Sequence, residues 1–252
     1  MFKYSSRFWL YAPTVLFLLL AAAVTIHWWI AAGAFEKKLA ALKGREAVPG
    51  ITLNWDKAEV GGFPFRLDAN FQNLRIAGAG AYGPFSWRSE KFAMHGLTYG
   101  RSQDVYEAAG KQQVIVTDSS QGGHATSFLS GSMHGSSILD AQGLRRFDLD
   151  IVNLAGPDFT IDRLQFHMRR DPDGNSLDLM VSTDGFQNRT KSAEHLQLYV
   201  TLPKAEALMP LLRGEVAWHT ATQRWRSQGV TAKPSNDPTA DQTLFELLKP
   251  LY

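Results

Sequence analysis

Residues 65–76 read Phe65-Arg66-Leu67-Asp68-Ala69-Asn70-Phe71-Gln72-Asn73-Leu74-Arg75-Ile76. Apolar side chains at 65, 67, 69 and 71 alternate with polar or charged ones, and the pattern resumes at 74 and 76. A period of two marks a strand with one buried and one wet face. The same alternation returns at Ile51, Leu53 and Trp55; at Val114 and Val116; and at Phe147, Leu149 and Ile151. It returns again at Phe159 and Ile161, at Leu164, Phe166 and Met168, at Leu177, Leu179 and Val181, and at Leu196, Leu198 and Val200. Asp171-Pro172-Asp173-Gly174-Asn175, between two such runs, is a hairpin signal.

Strand follows strand with no room for crossover helices, so the sheet is expected to be antiparallel. Two short helices are expected after it. One spans Pro203 to Leu212; the other starts near Asp237-Pro238 and carries Leu244, Leu247, Leu248 and Leu251 at helical spacing. The stretch from Gly100 to Gly143 is rich in Gly, Ser and Gln and reads as longer loops and weak strands. The fold class is mainly β: an antiparallel curved sheet, or open β-groove, with an N-terminal transmembrane helix and a short C-terminal helix. Phe65, Phe71, Phe159 and Phe166 are expected to line its concave apolar face, a candidate surface for lipid.

From Phe8 to Phe35 no Lys, Arg, Asp or Glu occurs. As a helix this run is about 42 Å long, enough for a hydrocarbon core of about 30 Å. Trp9 and Tyr11 near one end, and Trp28 and Trp29 near the other, suit the two interfacial belts. Ala32-Gly33-Ala34 resembles a signal-peptide cleavage site, but the apolar run is about twice the usual length of such a signal, which favours an uncleaved anchor. A literal count of flanking charge would keep the bulk domain in the cytoplasm, because Lys37, Lys38, Lys43 and Arg45 follow the span. The short basic start, Lys3 and Arg7, followed at once by the apolar run is instead the layout of an export signal. The later lysines share a segment whose Phe35, Leu39 and Leu42 fall on one helical face. The expected layout is a single-pass anchor in the cytoplasmic (inner) membrane over residues 1–35, a juxtamembrane linker over 36–50, and a β-rich exported domain over 51–252 in the periplasm.

The chain has 252 residues, 26 basic and 24 acidic. Setting aside Lys3 and Arg7 leaves the exported part with 24 basic against 24 acidic residues. A formally neutral domain lacks the basic footprint that nucleic acid requires. With no cysteine, disulfides, iron–sulfur clusters, thiolate catalysis and cysteine zinc sites are excluded.

Gly78-Ala79-Gly80-Ala81-Tyr82-Gly83 matches the dinucleotide fingerprint letter for letter. That site needs a helix after the glycines, and Pro84-Phe85-Ser86-Trp87 reads as a strand, so a hairpin turn is favoured. Asp171, Asp173 and Asn175 imitate a calcium loop, but Ser176 and Ser182 stand where its glycine and closing glutamate belong. His124 and His134 lie among Ser120, Ser127, Ser130 and Ser132 without a nucleophile-elbow pattern. His95, His167, His195 and His219 sit singly in strand-like runs and read as surface residues. No catalytic, cofactor-binding or metal residue is assigned on these grounds, and no cofactor is expected.

The most informative motif is Trp55 followed by Gly61-Gly62-Phe63-Pro64-Phe65-Arg66. The glycines permit a tight turn, and Pro64 sets an extended entry into the next strand. Phe63 and Phe65 are then expected on one face, in the core, with Arg66 opposite. Together with the anchor, Asn73-Leu74 and Phe85-x-Trp87, this motif resembles the bacterial envelope family called domain of unknown function 2125. The resemblance covers about residues 8–200, with the last fifty fitting less clearly, and implies an exported β-rich protein with no known activity or catalytic residues. Three functional classes follow: a non-enzymatic envelope protein that holds or passes membrane lipid; an anchored scaffold for another envelope protein, through aromatics around Trp87 or Trp218; and, least supported, a hydrolase using His124 or His134 with a nearby serine.

Overall fold

The computed structural model describes residues 6–80, 83–98, 103–118 and 124–234. The helix expected from Asp237 onward lies outside them. A single helix, α1 (Ser6–Leu42), leads into β1 (Arg45–Val48), β2 (Ile51–Asn54), β3 (Lys57–Gly61), β4 (Arg66–Gly80), β5 (Gly83–Leu97) and β6 (Gln103–Asp118). β7 (His124–Ser130), β8 (Ser132–Asp140), β9 (Gly143–Ala155), β10 (Phe159–Arg170), β11 (Ser176–Asn188) and β12 (Ser192–Pro203) follow. A 3-10 turn (Ala205–Leu208), α2 (Met209–Leu212), α3 (Trp218–Arg226) and the two-residue β13 (Lys233–Pro234) complete the described chain.

All strands belong to one 13-stranded sheet, and every pairing is antiparallel. It is a meander, as the short connections require. Two of its rungs are broken strands. β2 and β3 pair with successive parts of β4, and β7 and β8 with successive parts of β6. β1 and β13 are the open edges.

The stretch from residue 100 to 143 corrects the sequence reading. Its described residues form three strands, one of them 16 residues long, where longer loops and weak strands were expected. β6 is a central strand with hydrogen-bonded neighbours on both sides, so the backbone ladder overrides weak side-chain propensity. The gap in alternation between Phe71 and Leu74 also has a local cause. Asn73 takes a left-handed φ of 53°, which a short polar side chain tolerates, and the buried positions change parity there. Asn153 repeats the device in β9 with φ 56°.

The helix runs on past residue 35 to Leu42, so the segment read as a linker holds its last turns and then β1. Gly44, with φ 71°, ends it. Trp28, Ala32 and Leu39 are buried, while Phe35 and Leu42 pack partly against the same cluster. Their spacing of four, three, four and three makes one stripe down the helix. Before Trp28 the side chains face outward: Leu10, Val15, Leu16, Phe17, Leu18, Leu19, Leu20 and Ile26 are all exposed. By length and composition the segment suffices to cross a membrane.

The C-terminal helices reach back to the first strands. α3 touches β4. A β-carbon on Gly214 would lie 3.1 Å from Val48, and one on Gly50 3.5 Å from Ala217. The sheet therefore curls round until this helical segment bridges its two ends.

A roofed apolar face and the loop at the foot of the helix

One face of the curled sheet is apolar, and it is roofed at two places. At one end the last turns of α1 lie against β1 and β3 and join a cluster of Trp55, Ala69, Phe71, Leu74, Trp87 and Ala108. Trp55 and Phe71 meet edge to face with centroids 5.1 Å apart. Over β9–β12 the 3-10 turn, α2 and α3 cover Met168, Leu177, Leu198, Val200 and Leu202. Trp225 is 2 % exposed there, and its Nε1 donates to the Pro203 carbonyl at 2.7 Å.

Between the roofs most apolar residues are half-buried, while Trp87 and Ala108 are buried. A cavity of about 480 Å³ opens there, lined by Ile76, Phe85, Trp87, Phe92, Tyr106, Ala108, Met133, Gly135, Phe147 and Leu149. A second cavity of about 340 Å³ runs under the C-terminal helices, between Leu144, Phe166, Leu179, Leu211, Trp218 and their neighbours. The two adjoin where Phe147 meets Phe166, 6.2 Å apart, and where Leu149 pairs across strands with Phe166. Volumes of this size fall in the range of small-molecule sites. Two polar features interrupt the lining. The Tyr106 and Ser137 hydroxyls share a hydrogen bond of 2.7 Å, and burial pushes the Tyr106 hydroxyl above its ordinary pKa. Trp87 Nε1 is buried and has no hydrogen-bond partner among the described residues. Asp104, one turn of the pleat beyond Tyr106, is half-buried, and burial raises its pKa.

The four phenylalanines picked from the sequence do not form one surface. Phe71 is core under the α1 roof, and Phe166 walls the second cavity. Phe159 is half-buried beside Phe128 and Phe186, 5.9 and 6.4 Å away. Phe65 departs furthest. β4 starts only at Arg66, and Phe65 is 53 % exposed on the preceding turn. Phe63, at 54 %, is exposed with it, so neither aromatic is in the core.

What the Gly61–Arg66 motif builds is a fixed loop against the helix. Gly62 has φ 94°, and a β-carbon there would lie 2.8 Å from the Arg66 carbonyl oxygen, so only glycine fits. The Arg66 amide closes the turn on the Gly62 carbonyl at 2.9 Å. The Arg66 guanidinium donates to Asp68, whose other oxygen lies 2.8 Å from His95 Nδ1. Trp28 Nε1 donates to the Arg66 carbonyl at 2.8 Å, and its ring meets Phe63 edge to face at 5.5 Å. Trp28, expected in an interfacial belt, is thus turned inward onto the loop, while Trp29 stays 68 % exposed.

The outer face is polar. His95, His167 and His195 each pair with an aspartate directly opposite on the next strand: Asp68, Asp148 and Asp184. Around Asp148 burial acts to raise the pKa, but hydrogen bonds from His167, Arg146 and Ser136 outweigh it and hold the carboxylate below its ordinary range. His134 faces Asp150 and Glu107 across strands, not a serine. Among the described residues no three His, Asp or Glu side chains gather as a metal site. In the Gly78–Gly83 motif Gly80 ends β4 and pairs with Gly83, which opens β5, while the turn expected at residues 81–82 lies outside the described residues; Asp171–Asn175 is a hairpin turn closed by the Gly174 amide on the Asp171 carbonyl.

A family model described as an uncharacterized protein conserved in bacteria (DUF2125) matches residues 28–233. The chain belongs to this family. The DUF2125 match begins at the buried Trp28 and extends through the C-terminal helices, so it includes the second roof, which the sequence reading had left in doubt. Both halves of the DUF2125 region are built on the same plan, a sheet face beneath a helix. No curated protein and no solved structure matches the chain.

Proposed function

We propose that this protein is a membrane-anchored, non-enzymatic component of the bacterial cell envelope that holds or passes a lipid acyl chain along the inner face of its sheet. The observation that carries the reading is the half-open apolar cavity between the two roofs, with a second one close by beneath the C-terminal helices. A monomeric protein rarely leaves such a surface to water. The export-signal layout of the first residues supports a periplasmic domain on the inner membrane. The scaffold alternative loses the aromatics that suggested it: Trp87 is buried, and Trp218 lines a cavity.

The test is a phospholipid with a photoactivatable acyl chain, presented to the full chain in nanodiscs. Adducts on peptides carrying Met133 or Phe147 are expected, and Phe147→Ala together with Gly135→Leu should reduce them several-fold. Adducts confined to α1 would defeat the reading. A reporter active only outside the cytoplasm, fused after Tyr252, should be active if the domain is periplasmic.

A further inference from the structure

The Gly61–Arg66 loop is rigid, yet it spends its rigidity on holding two large aromatic rings outward. Phe63 and Phe65 are each more than half exposed, and Leu97, paired with Arg66 across β4 and β5, is 50 % exposed. The Thr98 amide and hydroxyl both donate to the Phe65 carbonyl, at 3.1 and 2.9 Å, which ties the end of β5 to this loop. Apolar side chains at the tip of a tethered loop gain nothing from water.

Their neighbour decides what covers them. Trp28 holds the loop through the Arg66 carbonyl and the Phe63 ring, and it stands on the helix where inward burial begins. On the same turn Ile26, Trp29 and Ile30 are 60, 68 and 68 % exposed. Tryptophan at the end of an apolar span marks the membrane–water interface. A loop fixed to Trp28 is therefore held at the level of the headgroups. The Arg66 guanidinium, on a side chain 56 % exposed, flanks the aromatics as interfacial anchors commonly are flanked.

We infer that Phe63, Phe65 and Leu97 form a second membrane contact, a wedge that enters the interface beside α1 and fixes the tilt of the sheet on the bilayer. This inference rests on the reading of α1 as a membrane anchor. It extends the proposed function, because β4, β5 and β6, which wall the larger cavity, then rise from the lipid surface.

The chain has no cysteine, so single sites can be labelled without changing others. Phe63→Cys, Phe65→Cys and Leu97→Cys, each carrying a polarity-sensitive fluorophore, are compared in full-length protein reconstituted into phosphatidylethanolamine–phosphatidylglycerol vesicles. Val15→Cys reports on the span. Ala79→Cys, thirteen residues along β4 and so about 43 Å from Arg66, reports on the far end. Quenching is read with nitroxide lipids placed near the headgroup or deep in the acyl region. The inference expects blue-shifted emission at 63, 65 and 97, quenched more by the shallow nitroxide than by the deep one, no quenching at 79, and deep quenching at 15. Quenching at 15 with none at 63 and 97 would overturn the wedge and leave the anchor standing. Blue-shifted emission at 63 and 97 that no nitroxide quenches would place a protein there and also overturn it. Absence of quenching at 15 removes the anchor, and the wedge with it; Leu97→Cys keeps the test decisive if a substitution within the loop prevents folding.

Discussion

The two roofs cover the same kind of surface by different means. The C-terminal roof is a local device: a 3-10 turn and two short helices fold directly back from β12, and Leu208, Leu212, Ala221 and Trp225 are buried beneath it. The α1 roof is one side of a continuous helix whose earlier turns face outward, and it contributes a narrow stripe. The difference teaches that the sheet cannot be separated cleanly from its N-terminal helix. The residues that close the end beneath α1 sit on the same helix as the long exposed apolar segment. Only the middle of the face, with no roof of its own, is left for something else.

If both roofs are structural, removing either should cost stability, and the C-terminal one more. Trp225→Ala deletes a fully buried ring and its hydrogen bond, and about 3–5 kcal/mol of destabilisation is expected. Leu39→Ala, at 9 % exposure on the helix stripe, should cost about 2 kcal/mol. Both are measured by chemical denaturation of the full chain in detergent micelles, followed by circular dichroism. A neutral Leu39→Ala would break the comparison, because α1 would then lie beside the sheet without holding it.

The sheet was legible in the sequence because its signal is a period of two, repeated over many strands. It failed where side chains are small or polar. β6 carries Ala108, Ala109, Gly110, Gln112 and Gln113, and what makes it a strand is the two neighbours it pairs with, which no local pattern displays. Phe35, Leu39 and Leu42 were readable as a stripe, but Trp28 was not separable from Trp29. Adjacent tryptophans at the end of an apolar run read alike until the Arg66 carbonyl and the Phe63 ring show which one turns inward. The Gly61–Arg66 motif was read as the most informative one, and its aromatics were given the wrong destination. Glycine and proline announce a turn; they do not say which way its side chains point.

A finer comparison sets the two faces of the sheet against each other through their aspartates. On the outer face Asp148 accepts hydrogen bonds from His167 and Ser136 and pairs with Arg146. Asp148→Asn should cost about 1–3 kcal/mol at neutral pH, the worth of hydrogen bonds to a charged group. Its folded pKa is lowered, so this contribution is present above the unfolded value of 3.8 and is lost as pH falls through the folded value. The variant and the parent should therefore converge in acid when denaturation is repeated across pH.

Asp104 should show the opposite sign and the smallest effect. It lies on the apolar side in line with Tyr106, and burial raises its pKa. A carboxyl group whose folded pKa is raised is better tolerated in its protonated form. The folded state thus suffers no penalty below the unfolded value of 3.8, a growing one as pH rises toward the folded pKa, and a constant one above it. Asp104→Asn removes that penalty, so a modest rise in melting temperature is expected at neutral pH, with none in acid. If lipid fills the adjoining cavity, the ionised carboxylate at its margin is desolvated further. The gain from Asp104→Asn should then be greater in lipid-loaded protein than in delipidated protein. An equal gain in both would mean that the occupant, if any, stops short of Asp104.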